Sequence, residues 1–191
     1  MTCHHTNIAT YTKDSGFTFP EILTVMVVTA VLVGTAAPAF NQLSDLKRLE
    51  SAAEKLYSDM QYARTSTINQ NTPVGIFVQS DGSTNWCYGL APKPTLTTTC
   101  DCTITSAGTN FCTLDGTNPY IINSTNFKGI SITNVSPQSF SFTPQRGTAG
   151  TVRVQFQSKY NEILQARVAS GGRIRICSPS GSGNVKGYAT C

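Results

Sequence analysis

The sequence predicts an α+β fold in which one long N-terminal α-helix packs on a C-terminal antiparallel β-sheet domain. Three observations support this. An uncharged, mostly apolar segment near the N-terminus runs without a break into a segment whose apolar residues recur every three or four positions. After Pro73 the apolar period falls to two, which is typical of strands. Turn-forming residues then separate several short segments of this kind, as in an antiparallel sandwich or barrel-like sheet.

The apolar segment at 22–40 is long enough to cross a membrane. At 1.5 Å per residue it spans about 28 Å, close to the thickness of a hydrocarbon core. No Asp, Glu, Lys or Arg occurs from Ile22 to Ser44. A cleaved secretory signal is the alternative, but the small residues Ser15 and Gly16 precede the apolar run rather than follow it. We therefore expect residues 17–40 to form a transmembrane helix.

Glu21 lies at the entrance of this segment, where an unpaired carboxylate costs on the order of a few kcal/mol. Its nearest expected partner is an amine. Cleavage between Gly16 and Phe17 would create an α-amine four residues before Glu21. In an assembly of parallel helices, the amine of one subunit would then pair with Glu21 of its neighbour.

The run Gly16-Phe17-Thr18-Phe19-Pro20-Glu21 resembles the signature of type IV pilins and type II secretion pseudopilins. In that family prepilin peptidase cuts a short leader after glycine, the aromatic first residue is N-methylated, and glutamate is the fifth mature residue. The resemblance implies that residues 1–16 are the leader, that Gly16 and Phe17 flank the cleavage site, and that Glu21 serves assembly. Pro20 departs from the family pattern, although proline is tolerated in a first helical turn.

The same resemblance implies a location and partners. The chain would be a single-pass protein of the inner membrane with its C-terminal domain in the periplasm, later incorporated into a pilus or pseudopilus. Its partners would be other major and minor pilins, together with prepilin peptidase.

Residues 41–71 are expected to form an amphipathic helix, because their charged side chains mostly lie off one apolar stripe. We expect this stripe to pack on the C-terminal domain from Leu56 onward and against other subunits before that point. The helix is expected to end near Asn69–Asn71, ahead of Pro73. The stripe consists of Leu43, Leu46, Leu49, Ala53, Leu56, Met60, Ala63 and Ile68.

Residues 72–191 are expected to form the globular antiparallel β domain. The long Thr-, Asn- and Gly-rich stretch from Ala91 to Asn118 is expected to be a surface loop. The predicted strands are Val74–Gln79, Asn85–Leu90, Gly129–Val135, Ser139–Thr143, Thr151–Gln157, Glu162–Ala169 and Arg173–Cys177.

Six of the seven cysteines fall in this domain, and an even number in an exported domain implies disulfide bonds. Cys177 and Cys191 are expected to pair, which would stabilise the domain by about 3 kcal/mol. The remaining four permit three pairings, and a zinc site is the alternative, although their spacing lacks Cys-x₂-Cys pairs. We favour the bonds Cys87–Cys100 and Cys102–Cys112, and expect no metal or cofactor.

The composition argues against an enzyme. The only histidines, His4 and His5, precede the apolar segment. Cleavage after Gly16 would therefore leave no imidazole for general-base catalysis or for binding a metal. The acidic residues are too scattered to suggest a pair of catalytic carboxylates.

The last third of the chain is strongly basic. From Ile121 to Cys191 it holds eight Lys or Arg residues and one acid, Glu162. Within it the run Arg173–Ile176 alternates, so on a strand both isoleucines face the core and both guanidinium groups face out, about 6.6 Å apart. Parallel guanidinium groups suit phosphate oxygens, and the preceding Gly171 and Gly172 are expected to leave the backbone accessible to a bulky ligand. The alternative is a solvated strand face without a specific ligand.

Gly172-Arg173-Ile174-Arg175 matches the GRxR motif of FimT-like minor pilins, in which it is implicated in binding DNA during natural transformation. The wider resemblance, which includes the turn Phe142–Gly147, is to the GspH/FimT family. It implies a minor pilin that takes part in pilus assembly and binds extracellular double-stranded DNA through Arg173 and Arg175, helped by Lys186 and Arg167. The alternative is a FimU-like tip or priming minor pilin, or a GspH-like type II secretion minor pseudopilin, without DNA binding. The sequence leaves open whether Arg146, Arg153 and Lys159 join the basic patch.

Overall fold

The computed structural model describes residues 16–93, 95, 99–106 and 108–191, so the predicted leader lies outside the described residues except for Gly16. One α-helix precedes a series of strands and a short 3-10 helix at Ser124–Asn126. The chain divides after Phe40 into two units. The elements are α1 (Phe19–Gln70), β1 (Val74–Ser80), β2 (Trp86–Pro92), β3 (Ile121–Asn123), β4 (Ser131–Ser136), β5 (Ser139–Ser141), β6 (Val152–Gln157), β7 (Ile163–Val168) and β8 (Ile174–Cys177).

In the first unit, Thr18 and Glu21 begin helix α1. The backbone N–H of Thr18 donates to the Glu21 carboxylate at 3.3 Å, which is one half of a capping box. An 18-residue window of α1 has a mean hydropathy of 2.1, so by length and composition the helix can cross a membrane. Large apolar side chains such as Phe19, Val27 and Leu32 are more than half exposed here. This part of the helix therefore offers an apolar surface to its surroundings.

In the second unit, α1 packs on the β domain earlier than the sequence indicated. Leu49 and Ala53 are fully buried, so the expectation that packing begins at Leu56 is wrong by about two helical turns. The reason is that the end of the turn between β6 and β7 contacts the helix near the start of this unit. There the Glu162 carboxylate accepts a hydrogen bond from the Gln42 side chain at 3.4 Å. Leu49 belongs to the same hydrophobic cluster as Phe156 of β6 and Leu164 of β7.

Two four-stranded antiparallel sheets complete the second unit, in the orders β3-β2-β1-β5 and β4-β6-β7-β8. Most of their buried residues and those of α1 form one hydrophobic core, which confirms the predicted α+β fold. Phe77, Cys87 and Ala91 belong to a second, smaller cluster with the loop cysteines. Each predicted strand is present with its ends shifted by at most two residues. The sequence analysis missed β3, because three residues are too few to display a period of two.

A buried carboxylate joins α1 to the first sheet. Asp59 is 2% exposed and accepts hydrogen bonds from the hydroxyl groups of Tyr88 and Tyr120, each at 2.8 Å. Lys55 Nζ completes the cluster at 2.7 Å from the same carboxylate. Burial, followed by the charge of Asp59, raises the pKa of Tyr88 far above its ordinary value. The tyrosine thus remains a hydrogen-bond donor at any ordinary pH.

The structure joins Cys177 to Cys191, as the sequence analysis favoured, but pairs the other four cysteines differently. Cys87 bonds to Cys102 and Cys100 bonds to Cys112, so the favoured pairing is wrong. The physical reason is the space that Gly89 leaves on the outer face of β2. Gly89 has no side chain there, and a Cβ at this position would lie 2.4 Å from the sulfur of Cys112. The second disulfide therefore covers Gly89, next to Cys87 on the same face.

Candidate nucleic-acid interface

Three arginines form a row across the outer face of the second sheet, and we call them the arginine row: Arg153, Arg167 and Arg175. Arg153 in β6 lies opposite Arg167 in β7, and Arg167 lies opposite Arg175 in β8. Their strand neighbours Val152 and Ile174 are buried, so alternation places the arginines on the solvent side. With strands about 4.8 Å apart, the row is about 10 Å long.

A row of uncharged amides runs beside the arginines. The side-chain amide of Gln165 donates to the side-chain oxygen of Gln155 at 2.8 Å, and the side-chain amide of Gln155 donates to the Thr133 hydroxyl at 3.0 Å. Gln155 and Gln165 are two residues from Arg153 and Arg167 and lie on the same sheet face. The outer face therefore carries positive charge next to neutral hydrogen-bonding groups.

Among the described residues, no acidic side chain neutralises the arginine row. The ion pairs among the described residues all lie within α1, and none involves Arg153, Arg167 or Arg175. Arg167 donates to the backbone carbonyl of Cys191 at 3.0 Å. Like charges directly opposite one another destabilise a sheet, so three in succession favour an anion bound over them.

The disulfide between Cys177 and Cys191 positions the acceptor of Arg167. Cys177 ends β8, and the backbone N–H of Cys191 donates to the Ser178 carbonyl at 3.0 Å. The bond and this hydrogen bond fix the Cys191 carbonyl over the sheet, where it orients the Arg167 guanidinium. The segment closed by the Cys177–Cys191 disulfide thus helps to set the orientation of Arg167 in the arginine row.

Gly172 has a packing role rather than the accessible backbone that we expected for it. It is buried with φ +78°, and a Cβ at this position would lie 2.0 Å from the carbonyl oxygen of Gly147. Its N–H donates to the Ala169 carbonyl at 2.7 Å and closes the turn between β7 and β8. Gly171 is exposed with open space around it, so the expectation applies to Gly171 alone.

The contact between Gly147 and Gly172 places further arginines at the end of the domain where the arginine row lies. Arg146 precedes Gly147 and Arg173 follows Gly172, and both side chains are exposed. Gly147 also contacts Arg64 of α1, since a Cβ on this glycine would lie 2.8 Å from the Arg64 Nε. That Nε is buried without a hydrogen-bond partner. Sequence reasoning missed Arg64, because a lone arginine on a helix gives no sign of the turn that covers it.

The structure thus gathers six of the seven arginines of the chain at what we call the basic end. They come from the helix, one turn, the loop before β8 and three neighbouring strands. Among the described residues, no acid forms an ion pair with any of them. The basic end consists of Arg64, Arg146, Arg153, Arg167, Arg173 and Arg175.

Two of the candidate lysines lie elsewhere. Lys186 is exposed near Tyr188, whose hydroxyl lies 3.4 Å from the Glu54 carboxylate. Glu54 precedes Arg64 by ten helical positions, about 15 Å along the axis. Lys159 is in the turn between β6 and β7, at the opposite end of those strands from the arginine row. Of the residues left open by the sequence, the basic end includes Arg146 and Arg153 but not Lys159.

The predicted assembly residues lie at the start of the described chain. Phe17 is 80% exposed, and Glu21 is exposed in the first turn of α1. Both line a surface pocket of about 290 Å³ with Ile22, Val25 and Met26. The capping bond to Thr18 occupies one carboxylate oxygen of Glu21 in the single chain. Pairing of Glu21 with the amine of a neighbouring subunit stays a prediction.

The described residues contain no group of three or more His, Cys, Asp or Glu side chains placed to hold a metal ion. The four loop cysteines that suggested a zinc site are joined in two disulfide bonds. Their sulfur atoms are therefore not free to act as thiolate ligands.

Comparison with known proteins relates the chain to one family. A family model described as type II transport protein GspH matches residues 52–189. A crystal structure of the type IV minor pilin FimU from Pseudomonas aeruginosa (strain PAO1), in space group P21, is similar with a TM-score of 0.50 and 16% identity, over 72% of this chain and 97% of that chain. A second FimU crystal form, P65, gives a TM-score of 0.44 and 15% identity over 69% and 97%. No curated protein sequence is a significant match. The first likeness shows a shared fold.

Proposed function

Since the chain belongs to the GspH family, and is therefore a minor pilin or pseudopilin of a type IV pilus or type II secretion system, we propose that it binds extracellular double-stranded DNA for uptake in natural transformation. The observation that carries the proposal is the arginine row, in which three guanidinium groups stand side by side without an acid between them. Arg173 extends this surface beyond the start of β8.

Phosphate oxygens are the DNA atoms that such a surface suits. Each guanidinium offers paired donors in a fixed plane, which match the oxygens of one phosphate. Contacts of this kind read no base sequence, so binding is expected to be indifferent to sequence. If Arg153, Arg167, Arg173 and Arg175 each neutralise one phosphate, log K falls with log salt at a slope of about −3.6. Lys186 lies apart from the row and is expected to contribute a weaker, separate contact.

The test is a titration of labelled duplex DNA with the second unit, residues 41–191, at several salt concentrations. This unit contains every buried hydrophobic residue of the core and all three disulfide bonds. Replacing Arg153 and Arg175 by glutamine should weaken binding and reduce the slope by about 1.8. Replacing Lys128 and Lys159 by glutamine removes the same charge elsewhere and should leave the slope unchanged. A parent domain that binds no duplex at low salt, or an equal effect of both double variants, would refute the proposal.

The second candidate is a structural role without DNA binding, as a tip or priming minor pilin or a secretion pseudopilin. The fold shared with FimU favours it, because FimU is a type IV minor pilin. In this case the arginine row would face an acidic surface of another pilin. The same titration distinguishes the two roles, since a purely structural subunit gives no salt-dependent complex with DNA.

We also propose that assembly depends on Glu21. Cleavage of the leader, residues 1–16, and N-methylation at Phe17 would leave an amine close to the exposed Glu21 carboxylate of a parallel neighbour. The helix would be held in the inner membrane, with the C-terminal domain in the periplasm. Glu21→Ala should leave membrane insertion intact and reduce incorporation into a filament, measured by recovery in sheared filament fractions. Normal incorporation of this variant would exclude the pairing.

A further inference from the structure

A second basic site lies at the opposite end of the globular domain from the basic end. This site is a pocket, and we call it the helix-start pocket. It occupies about 390 Å³ between the first turns of the second unit's helix and two turns of the β domain. One turn precedes β4, and the other joins β6 to β7. The residues that matter for its chemistry are Asn41, Ser44, Arg48, Lys128, Lys159 and Tyr160.

The pocket carries uncompensated positive charge. Lys128 and Lys159 are exposed, and neither forms an ion pair in the described part of the chain. Arg48 pairs with Asp45, the one acid that lines the pocket, at 3.1 Å. Glu162 is nearby and keeps its negative charge, but it does not line the pocket, and its carboxylate accepts hydrogen bonds from Gln42 and Ser158 rather than from a lysine. The lining holds three cationic side chains and one carboxylate, so it carries a net positive charge for an external anion.

The position of the pocket in the chain identifies the source of that anion. Asn41 directly follows Phe40 at the end of the apolar run, and no charge occurs before Asp45. A helix whose apolar part crosses a bilayer places Asn41 at the level of the headgroups. Ser44 and Arg48 then lie about 5 and 10 Å further along the axis. Tyr160 is 42% exposed at the same site, and tyrosine is enriched where a chain leaves a membrane.

We propose that the helix-start pocket binds the phosphate of an anionic phospholipid headgroup. The Lys128 and Lys159 ammonium groups approach the phosphate from the two turns, and the Ser44 hydroxyl and Asn41 amide supply neutral donors from the helix. Lysine suits this ligand because its compact charge on a flexible stem follows a mobile headgroup without a fixed planar geometry. The two basic sites therefore differ in chemistry, since the basic end uses arginine and this pocket relies on lysine.

The test uses the full chain purified in a neutral detergent and incubated with phosphatidylglycerol or phosphatidylcholine. Native mass spectrometry counts the lipid molecules that remain bound. The parent should retain phosphatidylglycerol in preference to phosphatidylcholine. Lys128→Gln with Lys159→Gln should reduce this preference by about fivefold per lysine, or about 25-fold together. The matched control, Arg153→Gln with Arg175→Gln, removes the same charge at the basic end and should retain the preference.

Three results would overturn the proposal. Equal retention of both lipids by the parent would mean that the lysines serve another anion, such as an acidic protein surface. An equal loss in the control variant would mean that retention follows total charge rather than this pocket. Displacement of phosphatidylglycerol by millimolar inorganic phosphate at constant ionic strength would mean that the pocket takes a small free anion.

Discussion

Replacing Asp59 by alanine is expected to destabilise the domain by about 3 kcal/mol, because the substitution leaves a buried hydroxyl without an acceptor. Tyr88 is 1% exposed, and its hydroxyl donates to the Asp59 carboxylate at 2.8 Å. Hydrogen bonds to charged groups are worth about 1.5–3 kcal/mol each, and an orphaned buried donor loses its full solvation. Lys55 is 42% exposed and returns to water, so the ion pair itself adds little.

Denaturant unfolding of residues 41–191 under oxidising conditions measures this loss. A double-mutant cycle with Tyr88→Phe isolates the hydrogen bond, and its coupling energy is expected to be about 1.5–3 kcal/mol. Thermal unfolding should show a decrease in Tm of roughly 6–12 °C for a domain of this size. Asp45→Ala is the matched control on the same helix. The side chain of its partner Arg48 is 47% exposed and that of Asp45 is 14% exposed, against 2% for Asp59, so this loss should cost less than about 1 kcal/mol. A coupling energy below about 0.5 kcal/mol would refute the anchoring role of Asp59.

Two further predictions concern the turn before β8 and the C-terminal segment. Gly172→Ala should destabilise the domain by more than about 1 kcal/mol, because its φ of +78° is unfavourable for alanine and its Cβ would meet the Gly147 carbonyl oxygen at 2.0 Å. Gly171→Ala, in open space, should change stability by less than about 0.5 kcal/mol; equal effects in the two variants would contradict the packing role. Burial and then the charges of nearby acids, including Glu54, raise the pKa of Tyr188 from 10.0 to about 12. Because the folded state holds this proton more tightly, the resulting stability is complete below pH 10.0 and is lost as pH rises towards about 12. The denaturant midpoint of unfolding should therefore fall less for Tyr188→Phe than for the parent as pH rises from 10.0 towards about 12. An equal fall in the two proteins would exclude this contribution of Tyr188.

The fold was predictable wherever a period was long enough to recognise. Apolar spacing along α1 and alternation along β6 and β7 gave elements whose ends differ from the structure by two residues or fewer. Spacing could not show which face of the helix meets which sheet, so the burial of Leu49 went unrecognised. It also could not show that Gly89 leaves room for a disulfide from a distant loop. Both features depend on contacts between elements rather than on order within one.

The residues of the candidate site likewise fall into two groups: those that a local sequence pattern predicts, and those that only contacts between elements bring together. Arg173 and Arg175 belong to one short alternating run, so their outward direction followed from the period of a strand. Arg153 joins them only through the register of β6 against β7 and of β7 against β8. Arg146 joins them through the contact between Gly147 and Gly172, two glycines that the sequence separates by 25 positions. Register and loop contacts are set by the whole core, which a local pattern does not contain.

The two basic sites are far enough apart to act independently. Arg64 follows Asn41 by 23 positions on the same helix, so the basic end lies about 35 Å along the axis from the helix-start pocket. The Debye length at physiological salt is about 8 Å, so an anion bound at one site is screened from the other. A subunit whose lysines contact lipid would therefore keep its arginine row free for DNA. For the same reason, each pair of glutamine variants is a valid control for the other, and a change at one site that altered binding at the second would require conformational coupling rather than shared charge.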